Sequence, residues 1–175
     1  MSHQRNLFRG IVAGAAGGLA ASWVMNEFMT GPGKKLQEAL QSEAENQKQE
    51  AASGEPKEDA TMKTADVITQ TTTGGQHLSW EGKQKGGPIV HYAFGAIMGG
   101  LYGGLAEYSS FARSGFGASF GSTLFGVADL FAVPALHLSP PATDQPPSSL
   151  TSPFAAHIIY GVTTELGRRI VRAVL

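Results

Sequence analysis

Gly10, Gly14 and Gly18 fall four residues apart inside a run, residues 7–29, that carries no charge between Arg9 and Glu27. In the interior of a water-soluble helix each such glycine costs about 1 kcal/mol relative to alanine. In a bilayer the same spacing stacks small residues into one stripe, along which two helix backbones can touch. The pattern returns twice, at Gly95, Gly99 and Gly103 with Gly100 and Gly104 beside them, and at Gly117 and Gly121. This recurrence points to closely packed apolar helices, although the mean hydropathy of the whole chain is near zero.

The average is low because charge is confined. All seven lysines and nine of the 14 acidic residues lie between Lys34 and Lys85. The chain therefore reads as three parts: residues 1–29, an N-terminal transmembrane helix; 30–87, a polar extramembrane loop with short helices; and 88–175, a three-helix membrane region with a basic C-terminal end. The apolar segments are 7–29, 88–106, 115–138 and 150–164. The first three reach the ~20 residues needed to cross about 30 Å of hydrocarbon, and the fourth does so with Glu165 at the interface. The fold expected is all-α, a polytopic membrane bundle of about four glycine-rich helices. Two readings compete with it. Arg5, Arg9 and Ala20-Ala21-Ser22 would also suit a cleaved signal peptide, and the apolar helices would also suit the core of a soluble helical domain.

Gly31-Pro32-Gly33 should end the first helix. Residues 34–52 favour an exposed helix with only Leu36 and Leu40 to bury, 56–70 a short helix whose apolar side is Met62, Val67 and Ile68, and 71–87 a loop. The short linker 107–114 predicts an antiparallel hairpin of the second and third apolar helices, and Pro134 a kink. Four spans place both termini on one side together with Arg5, Arg9, Arg113, Arg168, Arg169 and Arg172. That side should be cytoplasmic; Lys34, Lys35, Lys83 and Lys85 flank the spans on the other.

Antiparallel threading also brings His91, His137 and His157 toward one face, with Asp129 two turns deeper than His137 on the same helix. An ionisable residue within a span is expensive and is by default a functional hypothesis. These four form a candidate proton or polar site, because histidine titrates near neutral pH and a carboxylate beside it can exchange a proton with it. The alternative is that they hydrogen-bond between helices and fix the packing. A metal site is not read from them, since no two share a helical i, i+4 spacing. At the opposite face Glu107, Arg113, Glu165, Arg168 and Arg169 should form interfacial ion pairs, Glu165 and Arg169 being i, i+4 neighbours. His3 and His77, in polar sequence, are given no role.

Several classes lack a signature. There is no cysteine, no basic stretch interleaved with aromatics for nucleic acid, and no GxSxG, GxxxxGK or HExxH motif. No enzyme activity, cofactor, metal or nucleic-acid partner is expected.

The segments HYAFGAIMGGLYGGLAE, GFGASFGSTLFGVAD, VPALHLSP and HIIYGVTTELGRR, after an N-terminal Gly/Ala-rich span, resemble the YagU-like bacterial inner-membrane proteins. These carry a domain of unknown function, and a member has been linked to acid resistance. The likeness covers 7–29 and 87–172 and rests on His91, Tyr102, Gly103, Glu107, Pro134, His137, Pro140, His157, Glu165, Arg168 and Arg169; the polar loop departs from it. It implies an inner-membrane location and a helical fold, and no catalytic residues. Function is accordingly expected to concern the membrane or acid and proton stress. The alternative is a scaffold or accessory subunit, which would use its glycine faces to form a homo-oligomer or join a larger membrane complex.

Overall fold

Helix α1 (Leu7–Thr30) starts where the Asn6 side chain accepts the Arg9 N–H, and it stops at Gly31. Pro32, whose missing N–H is no loss in a first turn, opens α2 (Pro32–Leu40). These elements belong to a computed structural model of the whole chain, which describes residues 5–43, 45 and 58–175. The remaining elements are α3 (Ala60–Thr73), α4 (Trp80–Tyr108), a 3₁₀ turn (Ser114–Gly117), α5 (Ala118–Leu124) and α6 (Pro147–Val174). Helix α5 continues as a π-helical stretch (Phe125–Ala132) and one final turn (Val133–Ala135). No strand occurs among the described residues.

Packing is the reverse of that in a soluble helical domain. On α1 the buried residues are Gly10, Ala13, Gly14, Gly17, Gly18, Ala21 and Ser22. Leu7, Phe8, Ile11, Leu19 and Trp23 of the same helix point outward. Helix α4 likewise buries five glycines between Gly95 and Gly104 while exposing Ile89, Ile97, Leu101 and Leu105. Small residues inside and large apolar ones outside suit a lipid surrounding, where close backbone approach rather than water exclusion drives association. Leu7–Thr30, Trp80–Tyr108 and Ser114–Ala135 are long and apolar enough to cross a membrane, which suggests a multi-pass membrane protein. Helix α6 has the length, but it falls outside that set. It is inside-out in a second way, burying Ser152, His157, Thr164, Glu165, Arg168 and Arg172.

Helix α1 is the hub. It runs antiparallel to α4, and a Cβ placed on Gly14 would land on the Gly99 carbonyl oxygen, one on Gly18 on that of Gly95, and one on Gly103 on that of Gly10. Its other side meets α6, where a Cβ on Gly17 would lie 2.5 Å from the Thr164 carbonyl oxygen. Gly117 and Gly121 seat α5 on α6, against the carbonyls of Gly161 and His157. The glycine stripes read from the sequence are thus consumed inside the chain.

Three local expectations change. The segments around α4 and α5 do not form a tightly packed hairpin: α4 packs on α1 and α5 on α6. Between α4 and α5 contact is through side chains, such as the Tyr102 and Phe120 rings at 4.6 Å. Residues 80–87, read as loop, are the first turns of α4, capped by the Ser79 hydroxyl accepting from Gly82 N–H, and the helix continues through Pro88. Membrane helices tolerate such prolines because neighbours re-satisfy the freed carbonyl. Third, α3 buries Met62, Ala65 and Asp66 and leaves Val67 and Ile68 exposed, a face rotated from the expected one. The outer part of the helix expected over 34–52, and residues 56 and 57, lie outside the described residues, as does His3.

Helix α3 is fastened to the start of α4. Asp66 accepts from the Leu78 N–H at 2.6 Å, and lies 3.0 Å from His77 Nδ1 and 3.3 Å from Lys83 Nζ. Lys83 also donates to Glu58 at 2.7 Å. His77, given no role from sequence, is therefore part of a docking cluster. Its hydrogen bond, followed by that of the Leu78 N–H, holds the Asp66 carboxyl well below the usual carboxylate range, against the opposing effect of burial.

Candidate functional site

Helices α4 and α5 are splayed, and the gap between them is a cavity of about 460 Å³ floored by α1 and α6 and bordered by α3. Its walls are mostly apolar, from Met25, Phe94, Met98, Leu124 and Val127 among others. The polar side chains that border it are Ser22, His91, Asp129 and His157, with the hydroxyls of Thr61, Thr64 and Tyr160. A largely apolar cavity with a few convergent polar groups is the usual form of a binding or reaction site.

Asp129 and His157 are in direct contact, with Oδ2 3.1 Å from Nε2. The other ring nitrogen, Nδ1, lies 2.9 Å from the Pro153 carbonyl oxygen. A carbonyl can only accept, so Nδ1 carries a hydrogen. The Nε2–Asp129 contact then needs one further proton, which can sit on the imidazole or on the carboxyl. Burial is uneven across the pair, the His157 side chain being 9% exposed and Asp129 39%. Both border the cavity, and the Asp129 carboxyl group is the more exposed member.

Local winding sets the carboxylate there. Asp129 lies in the middle of the π-helical stretch, where the Val133 N–H donates to the Ala128 carbonyl, five residues back. Such widened turns cluster at functional sites. The stretch ends at Ala132, two residues before Pro134, so the expected disturbance of the helix takes the form of π winding upstream of the proline.

His91 Nε2 lies 3.2 Å from the Ser22 carbonyl oxygen across the α1–α4 contact. Ser22 is 1% exposed, and its buried hydroxyl has no hydrogen-bond partner among the described residues. Tyr160 closes the floor by donating to the Gly95 carbonyl at 2.6 Å. His137 does not join the site. It stands exposed just beyond the last turn of α5 with φ 57°, because the helix ends at Ala135. No group of three or more His, Asp or Glu side chains arranged for a metal ion occurs among the described residues.

A family profile described as "Protein of unknown function (DUF1440)" matches residues 51–166, well over half of the chain. The chain belongs to the DUF1440 family. No curated protein and no solved structure matches it. The DUF1440 match includes α3, which the likeness noted from the sequence had left out, and it contains all four polar residues of the predicted site. It stops before Arg168 and Arg169.

At the end of the DUF1440 match lies the second cluster. Glu165, fully buried, accepts from Arg168 Nε at 2.7 Å, Arg169 Nε at 2.7 Å and the Tyr102 hydroxyl at 2.8 Å. Glu107 accepts from Arg172 Nε at 2.8 Å and from the Asn6 N–H at 3.0 Å, tying the start of α1 to the end of α6. The i, i+4 pair of Glu165 and Arg169 forms as the spacing predicts. Tyr102 and Arg172 are partners that spacing alone does not reveal, because nothing in the sequence places them opposite those carboxylates. Arg113 borders this cluster with no ion-pair partner among the described residues.

Proposed function

We propose that this DUF1440 protein is a small inner-membrane protein of four transmembrane helices, and that the Asp129–His157 pair is a proton-responsive site serving acid or proton stress. The observation that carries the reading is the 3.1 Å approach of Asp129 Oδ2 to His157 Nε2 beside a cavity. A carboxylate–imidazole pair within a span answers pH without any cofactor, and intramembrane ionisable groups are retained chiefly for such work.

Helix α6 serves as the fourth span in this reading. Its 28 residues exceed the length required, and its charged side chains are turned inward and paired. Both termini then lie on one side: Arg5 and Arg172 border the same cavity. The six arginines make that side cytoplasmic by the positive-inside rule. The likeness to YagU-like proteins, a member of which is linked to acid resistance, supports the physiological setting. A scaffold assembling through glycine faces has less support, since those faces are filled within the chain.

The test is acid survival of cells carrying Asp129→Asn or His157→Gln, with membrane levels of the protein measured in parallel. The reading expects normal levels and lost survival. Normal levels with normal survival would reject it, and loss of the folded protein would assign the pair to packing.

A further inference from the structure

The end of the bundle where α1 begins and α6 ends holds a second cavity, also about 460 Å³, bordered by Arg5, Arg113, Arg168, Arg169, Arg172 and Glu107. Five guanidinium groups converge on it. Two carboxylates belong to the same cluster, and both are engaged inward: Glu165 with Arg168, Arg169 and Tyr102, and Glu107 with Arg172 and the Asn6 N–H. Positive charge is thus in excess by three. The excess lies on the cavity side, where Arg5 and Arg113 have no ion-pair partner among the described residues and Arg169 is 54% exposed.

We propose that this cavity binds a phosphate group, carried by an anionic phospholipid or by a free phosphate. The donors come from three separate elements: Arg5 just before α1, Arg113 in the α4–α5 connection and Arg169 on α6. A tetrahedral oxyanion is held well by donors arriving from several directions. Arginine supplies them as a planar fork suited to paired hydrogen bonds, which lysine cannot. Every basic residue bordering the cavity is arginine, while all seven lysines lie in the 34–85 stretch. Arg169 is further fixed over the Phe116 ring, 4.5 Å from its centroid. The Ser110 hydroxyl borders the same space. Basic cavities between the ends of membrane helices are a recurrent place for anionic headgroups, and the volume lies within the ordinary range of small-ligand sites.

The experiment uses the full chain in mild detergent, titrated separately with phosphatidylglycerol, phosphatidylcholine and inorganic phosphate. Bound ligand is counted by native mass spectrometry and the thermal midpoint is followed. Phosphatidylglycerol should bind and raise the midpoint while phosphatidylcholine does not; the same protection by inorganic phosphate would identify a free anion as sufficient. Arg5→Gln/Arg113→Gln should weaken binding by about tenfold or more, as expected for losing charge-assisted hydrogen bonds. Arg113→Gln alone provides a milder second variant. Lys34→Gln/Lys35→Gln, which removes equal charge at the other end, should bind as the unaltered chain does. The proposal is overturned by binding of neither phosphatidylglycerol nor phosphate, by an Arg5/Arg113 variant that binds normally, or by an equal loss in the lysine variant.

Discussion

Asp129 on the π-helical part of α5 and His157 on α6 meet at 3.1 Å, while the opposite edge of the same imidazole is held by the Pro153 carbonyl at 2.9 Å. The ring is therefore held at both nitrogens, one against a carbonyl that can only accept and one against a titratable carboxyl group. Asp129→Asn can donate an amide N–H to Nε2 of the neutral imidazole and should change stability by less than about 1 kcal/mol, whereas Asp129→Leu leaves a buried ring nitrogen unpaired and should lower it by about 1–3 kcal/mol. Unfolding of the purified protein by denaturing detergent would distinguish these. Equal effects would mean that the hydrogen bond contributes nothing.

Glu165 is expected to be the least replaceable side chain of the arginine-rich end. It is fully buried, and Arg168 beside it is 7% exposed along its side chain, so Glu165→Gln leaves a guanidinium charge in the interior. The loss should be about 3–5 kcal/mol. Combining it with Arg168→Met should recover part of that loss, because the buried guanidinium, left with only Glu107 at 3.9 Å, is then removed as well. A double variant that is simply the sum of the two single losses would argue against the pairing.

Gly99 lies against Gly14 and Gly18 closely enough that a Cβ would strike the Gly14 carbonyl oxygen. Gly99→Ala should therefore separate α1 from α4 and cost about 1–3 kcal/mol in stability. Gly126 has nothing within 4 Å of its would-be Cβ, so Gly126→Ala should be neutral or slightly stabilising. Thermal midpoints of the two variants, compared in one detergent, check the contrast.

Docking of α3 should weaken in acid. The Asp66 carboxyl is held below its ordinary value of 3.8 in the folded protein, chiefly by His77, so its contribution is complete above about pH 4 and is lost as pH falls toward the lower folded value. Hydrogen exchange over Ala60–Thr73 should accelerate below that point, and Asp66→Asn should show fast exchange at all pH values. Exchange that is slow and independent of pH in both proteins would contradict the assignment.

Much of the frame was legible in the sequence because it depends on local spacing. Four-residue glycine periods mark helices that touch, whatever they touch. The separation of arginines from lysines places the two ends, and the i, i+4 spacing of Glu165 and Arg169 gives their ion pair directly. What sequence spacing leaves open is which helix meets which. A short linker made α4 and α5 neighbours in the chain, yet each found a better glycine surface elsewhere, α4 on α1 and α5 on Gly161 of α6. That choice opened the cavity between them, brought Asp129 to His157, and left His137 outside. Residues 80–87 show the same division. WEGKQKGG has poor helix propensity by itself, and it is helical because Ser79 caps it and Lys83 and Gly87 dock on α3. Local pattern determined the helices and their small-residue faces. Only tertiary packing, where backbone approach is decided pair by pair, determined which polar side chains would share a site.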